Sequence, residues 1–139
     1  MSKSIETASV DHRPPIVIAE EDLEPLSDIA DSLLDALPEI ARFLDEELTR
    51  ARLMPLRRIS TDVVTMNSTA EITMGESGRV DRLKLVYPAD HVANGGCVSI
   101  ASPVGVAMLG LREGQSFTWS SRHGDVRTLK VLKIVPPES

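Results

Sequence analysis

Leu23, Leu26, Ala30, Leu33 and Leu37 recur at alternating spacings of three and four along a stretch that is otherwise acidic. That spacing is one face of a helix starting near Asp22, and it is close to a heptad seam. Pro25 falls in the first turn of such a helix, where it is tolerated. Pro38 opens a second helical pattern, Ile40, Phe43, Leu44, Leu48 and Ala51, which stops at or before Pro55. Neither helix can hide its apolar stripe alone. The pair is therefore expected to fold back as an antiparallel helical hairpin, a short coiled coil whose arms of about fourteen residues project roughly 20 Å.

Past "RRISTD" the period drops toward two. "DVVTM", "AEITM", "RLKLVYP", "CVSIAS", "QSFTWS" and "RTLKVLKIV" alternate or carry β-branched residues, separated by the turn signals "MNS", "GESGR", "NGG", "REG" and "RHGD". One apolar helix interrupts them. Ser102 is placed to cap its N-terminus, Pro103 occupies the first helical position, and Gly110 ends it in a left-handed conformation. "IVIA", Ile16 to Ala19, adds a short strand before the first helix. The expected architecture is α+β. A disordered leader spans 1–15, a strand and helical hairpin 16–55, and an antiparallel sheet wrapped around one short helix 56–139.

Charge divides the chain in the same place. The net charge is −6, yet from Glu20 to Arg50 eleven acids face only Arg42 and Arg50, whereas from Ala51 onward eleven bases outnumber eight acids. The two parts are expected to meet different surfaces. An acidic average argues against a dedicated nucleic-acid binder, and only Phe43, Tyr87, Phe117 and Trp119 could stack on bases. No sequence-specific nucleic-acid contact is expected. No run reaches the ~18 apolar residues of a membrane span, and the first fifteen residues lack the apolar region of a signal peptide, so a cytoplasmic location is expected.

Catalytic chemistry finds little support. Ser102 is in no nucleophile elbow, the glycines form neither a phosphate loop nor a dinucleotide fingerprint, and His12, His91 and His123 show no metal-ligand spacing. Cys97, the single cysteine, is read as a structural residue. No catalytic residue, cofactor or metal is expected. Asp31, Asp35 and Glu39 converge near the turn between the helices, where two readings stand. They are a solvated tip with an acid favoured at a helix N-terminus, or a negative prong that enters a basic groove or approaches a metal ion in a partner.

"VVTMNSTAEI" from Val63, "LKLVYPAD" from Leu83, "VSIASPVGVAMLGLREGQ" from Val98 and "LKVLKI" from Leu129 together resemble the C-terminal domain of the bacterial Gre transcript-cleavage factors. Within that family the chain is most similar to the shorter members of Rnk type, regulators of nucleoside diphosphate kinase. The resemblance implies an FKBP-like C-terminal domain without an isomerase site, and a partner, bacterial RNA polymerase, gripped at the rim of its secondary channel. It carries Ser102, Pro103, Val104 and Met108 over as docking residues. It further implies competition with Gre-type factors and an indirect influence on nucleoside diphosphate kinase. Full Gre factors present a D-x-x-E pair at the tip of a longer hairpin. Here three residues separate Asp35 from Glu39 and the prong is short, so stimulated RNA cleavage is not expected. An FKBP-like prolyl isomerase or small-ligand binder is the alternative.

Overall fold

The computed structural model of the chain describes residues 12–93, 95–120 and 124–135. Most of the expected leader, residues 1–11, and His123 lie outside that set. From His12 onward the chain is tied down: the His12 N–H donates to the Thr118 carbonyl at 2.9 Å and the Thr118 N–H returns the bond at 2.7 Å. Residues 12–15 thus lie against the sheet and do not belong to a loose leader.

Strand β1, Val17–Ala19, is wholly buried and pairs in parallel with β2, Arg52–Met54. Between them run two helices, α1 (Glu20–Ser32) and α2 (Pro38–Arg50). Pairing of β1 with β2 therefore closes the base of the helical segment. No side chain caps α1, but Glu20, Glu21 and Asp22 fill its first turn, where negative charge offsets the helix dipole. The helix starts before Asp22, so Pro25 sits in its second turn rather than its first. It also stops early. Ser32 Oγ donates to the Ile29 carbonyl at 2.7 Å, competing with the backbone for that acceptor, and the heptad seam ends there. Leu37, expected on the buried stripe, is exposed.

Five strands make the main sheet, in the order β5-β4-β3-β7-β6. They are β3 (Thr69–Met74), β4 (Val80–Val86), β5 (Cys97–Ser99), β6 (Ser116–Ser120) and β7 (Val126–Val135). The expectation of a wholly antiparallel sheet needs correction, because β5 runs parallel to β4. Parallel neighbours require a crossover. The loop after Tyr87, opened by a short 3₁₀ turn at Pro88–Asp90, supplies it. The expected strand "DVVTM" is reduced to an isolated bridge between Val63 and Arg112. Ser68 ends it locally: its hydroxyl accepts from the Thr65 N–H at 3.0 Å and bonds the Thr65 hydroxyl at 2.8 Å, with Asn67 left-handed at φ 72°. A bulge between Glu71 and Ile72 breaks the β3–β7 register and adds curl.

One core joins all of this. Leu26 and Ala30 of α1, and Leu44 and Leu48 of α2, share a buried cluster with Phe117, Leu129 and Val131. Each fully buried leucine contributes roughly 2 kcal/mol through removal from water. Helix α3, Pro103–Met108, plugs the concave side of the sheet, with Val106, Ala107 and Met108 fully buried.

Candidate docking surface

The loop into α3 is stiffened by three hydrogen bonds in sequence. The Ala101 N–H donates to Ser99 Oγ at 2.9 Å, the Ser102 hydroxyl donates to the Ser99 carbonyl at 2.7 Å, and the Gly105 N–H donates to Ser102 Oγ at 3.1 Å. Ser102 is thus the N-cap that its position foretold. A Cβ on Gly105 would collide with the Ser99 carbonyl, so only glycine lets the helix start this close to β5. Gly110, at φ +83°, closes the helix, and a Cβ there would stand 2.7 Å from Ile16 Cβ. The short helix is locked between β5 and β1.

Among the four expected docking residues, Pro103 is exposed and Ser102 and Val104 are half-buried. Met108 must be removed from that set. It is fully buried in the core, because α3 turns its last residues into the sheet, and no partner surface can reach it.

Asp31, Asp35 and Glu39 are all exposed around the α1–α2 connection. The Leu37 N–H donates to the Leu33 carbonyl at 2.8 Å and the Leu34 N–H to the Asp31 carbonyl at 3.3 Å, which keeps this turn compact. Leu34 is 58% and Leu37 44% exposed. The turn is therefore anionic and apolar at once, a mixture that solvation alone does not explain. It is also less far out than the sequence suggested. Phe43 of α2 already packs on the sheet, its ring centroid 5.8 Å from Phe117 and 6.2 Å from Trp119. Only Pro38–Arg42, about 7 Å of helix, precedes that contact on α2.

Three polar links hold the helices to the body, and none was read from the sequence. Glu47 is fully buried, accepting from Arg50 Nη2 at 2.7 Å and from Arg13 Nη1 at 3.3 Å. The guanidinium of Arg13 lies over the Phe43 ring at 5.2 Å and near Phe117 at 5.8 Å. Glu21 accepts from the Leu56 N–H at 2.9 Å, and that bond is the main reason its carboxyl titrates below the usual range. Tyr87 donates to Asp22 Oδ1 at 3.2 Å. Burial raises the Asp22 carboxyl, the Tyr87 bond opposes part of that rise, and the Tyr87 phenol is itself pushed well up by burial and by Asp22. Only the spacing of Glu47 and Arg50, three apart on one helix, left a trace in the sequence.

Ligand chemistry is sparse. Among the described residues no group of three or more His, Cys, Asp or Glu is placed to hold a metal ion, and no helix is long and apolar enough to cross a membrane. Two clefts, of about 510 and 490 Å³, are lined by residues such as Met74, Thr128, Asn67, Lys84 and Cys97, with no aromatic side chain in either.

Residues 59–136 match the family described as transcription elongation factor, GreA/GreB, C-term, and residues 14–53 match the Rnk N-terminus. The chain belongs to the GreA/GreB family, in its Rnk-type form. It is 36% identical over 122 residues to the regulator of nucleoside diphosphate kinase of Escherichia coli K12, covering 88% of this chain and 90% of that one. This GreA/GreB family member is also 31% identical over 91 residues to the transcription elongation factor GreA of Syntrophomonas wolfei, 66% of this chain and 57% of that protein. Its fold is similar to that of a prokaryotic GreA/GreB transcription elongation factor from Nitrosomonas europaea, with a TM-score of 0.70, 34% identity, and coverage of 88% and 99% of the two chains. Membership of the GreA/GreB family gives the chain a regulatory role related to transcription, and none of the matched families is an enzyme family.

Proposed function

We propose that the chain is a non-enzymatic regulator that binds bacterial RNA polymerase near the secondary channel, competes there with Gre-type factors and modulates elongation. The observation that carries this reading is the rigid, partly exposed loop Ser102–Val104 in a chain that resembles a solved GreA/GreB factor along nearly its whole length. A docking edge gains from rigidity, since less conformational freedom is lost on binding. In this reading α1 and α2 form a short antiparallel hairpin, and the sheet around α3 is the FKBP-like body. The body grips the channel rim while the hairpin turn, with Asp31, Asp35 and Glu39, covers the entrance.

A contact with the sheet from Phe43 onward leaves the hairpin too short to reach a metal deep in a channel. The function is occupancy and exclusion. Any effect on nucleoside diphosphate kinase then follows from altered transcription and needs no contact with the kinase. A competition experiment tests the proposal: labelled GreA is bound to core polymerase and titrated with this protein. Displacement is expected, and replacing Pro103 and Val104 by Asp weakens it. Retention of labelled GreA at saturating protein overturns the proposal.

A further inference from the structure

The sheet has two unlike faces. Its inner side carries Ala70, Ile72, Leu85, Leu129 and Val131 into the core beneath the helices. Its outer side is covered by no element among the described residues. On β4, Val80, Arg82 and Lys84 point outward, and on β7 Lys130, Lys133 and Val135 do so. Across the central strand, Arg82 and Lys133 flank Glu71 in register, and Val80 and Lys130 flank Thr73. Among the side chains that β4, β3 and β7 turn outward, four cations thus meet a single acid, Glu71, which lies 3.8 Å from Arg82. Apolar surface is interspersed, with Val80 51% and Leu132 40% exposed. Phosphate backbones reward cations and stacking aromatics, not exposed valine and leucine. The face calls for a partner that is acidic and apolar together.

The chain carries that partner itself. The α1–α2 connection sets Asp31 and Asp35 beside the exposed Leu34 and Leu37, matching the sheet face in charge and in hydrophobicity. It cannot fold onto its own sheet face, because α1 and α2 pack on the opposite side. We propose that the outer face of the β4–β3–β7 sheet binds the α1–α2 turn of a second copy of the chain. The contact joins two different surfaces, so it is head-to-tail and leaves one of each open at the ends. A turn held this way is withdrawn from any other partner.

The test is sedimentation velocity on the full chain across a concentration series at low salt. Concentration-dependent association is expected, largely abolished at about 0.5 M salt, where charges are screened within a few ångströms. Lys130→Glu with Lys133→Glu, and separately Asp31→Lys with Asp35→Lys, each weaken it at least about tenfold, with circular dichroism showing both variants folded. Mixed together, the two variants associate again, because the acidic turn of one meets the basic face of the other and the reversed turn meets the reversed face. Combining all four reversals in one chain restores association. A chain that stays monomeric throughout the series overturns the proposal, as does association that either pair of reversals leaves unchanged. Binding of a single-stranded RNA oligonucleotide to the monomer, lost in the lysine variant, would assign the face to RNA and overturn it too.

Discussion

Arg13 and Glu47, 34 residues apart in sequence, meet at 3.3 Å with the carboxylate fully buried and the guanidinium lying over Phe43. Arg50 holds the same carboxylate from the other side at 2.7 Å and also donates to the Pro14 carbonyl at 2.8 Å. This junction fastens the N-terminal segment and α2 to the aromatic residues of the sheet.

Glu47→Ala removes the acceptor at the centre of that junction and leaves two arginines partly buried without it. Breaking a buried pair from one side is costly, and because both arginines keep some access to water the expected loss is about 2 kcal/mol. Urea unfolding measures it. Glu47→Gln, which keeps an acceptor and the side-chain volume, should lose less, and equal losses would show that the charge of the ion pair rather than packing matters here.

Asp22 has the opposite character. Its carboxyl is raised by burial, so ionising it costs stability: its contribution is fully present below the ordinary carboxylate pKa of about 4 and is lost as pH rises through the raised value. Asp22→Asn removes that cost while keeping an acceptor for Tyr87. The variant is expected to be more stable than the parent at pH 7, with the difference shrinking toward zero as the pH falls below the ordinary carboxylate range. Urea midpoints at the two pH values check the sign.

Two glycines are fixed for different reasons. Gly110 combines a φ of +83° with the Ile16 side chain and the Val17 backbone against it, whereas Gly114, at +88°, has open space where a Cβ would go. Gly110→Ala is expected to cost about 3 kcal/mol or more and Gly114→Ala about 1 kcal/mol, both read by thermal or urea unfolding.

The caps of α3 were legible because capping is local. Ser102, Pro103 and Gly110 each act within a few residues, and sequence order states their partners. The helical stripes and most strands were legible for the same reason, periodicity being a property of neighbours. Long-range links were not. Arg13 with Glu47, Tyr87 with Asp22 and β1 with β2 depend on where the chain returns, which no local pattern records. Met108 shows the same limit in the segment around α3. Its place in a motif suggested a contact, but helix rotation decides which side faces water, and that rotation follows from the core.

Ser102 and Pro103 separate folding from docking. Ser102→Ala removes the N-cap and the bond to the Ser99 carbonyl, so it is expected to destabilise the protein by about 1 kcal/mol whatever the loop contacts. Pro103 is exposed and donates nothing to the helix, so Pro103→Asp should leave stability within about 0.5 kcal/mol of the parent. If the loop is the docking edge, Pro103→Asp nevertheless lowers affinity for polymerase about tenfold or more, since a charge is then buried without a partner. Asp35→Ala with Glu39→Ala should leave that affinity intact and reduce displacement of GreA, and neither the parent nor the variant should shorten RNA in a stalled elongation complex. Affinity unchanged in Pro103→Asp, at unchanged stability, would place the contact elsewhere on the molecule, and the α3 loop would keep only its part in locking the helix to β5.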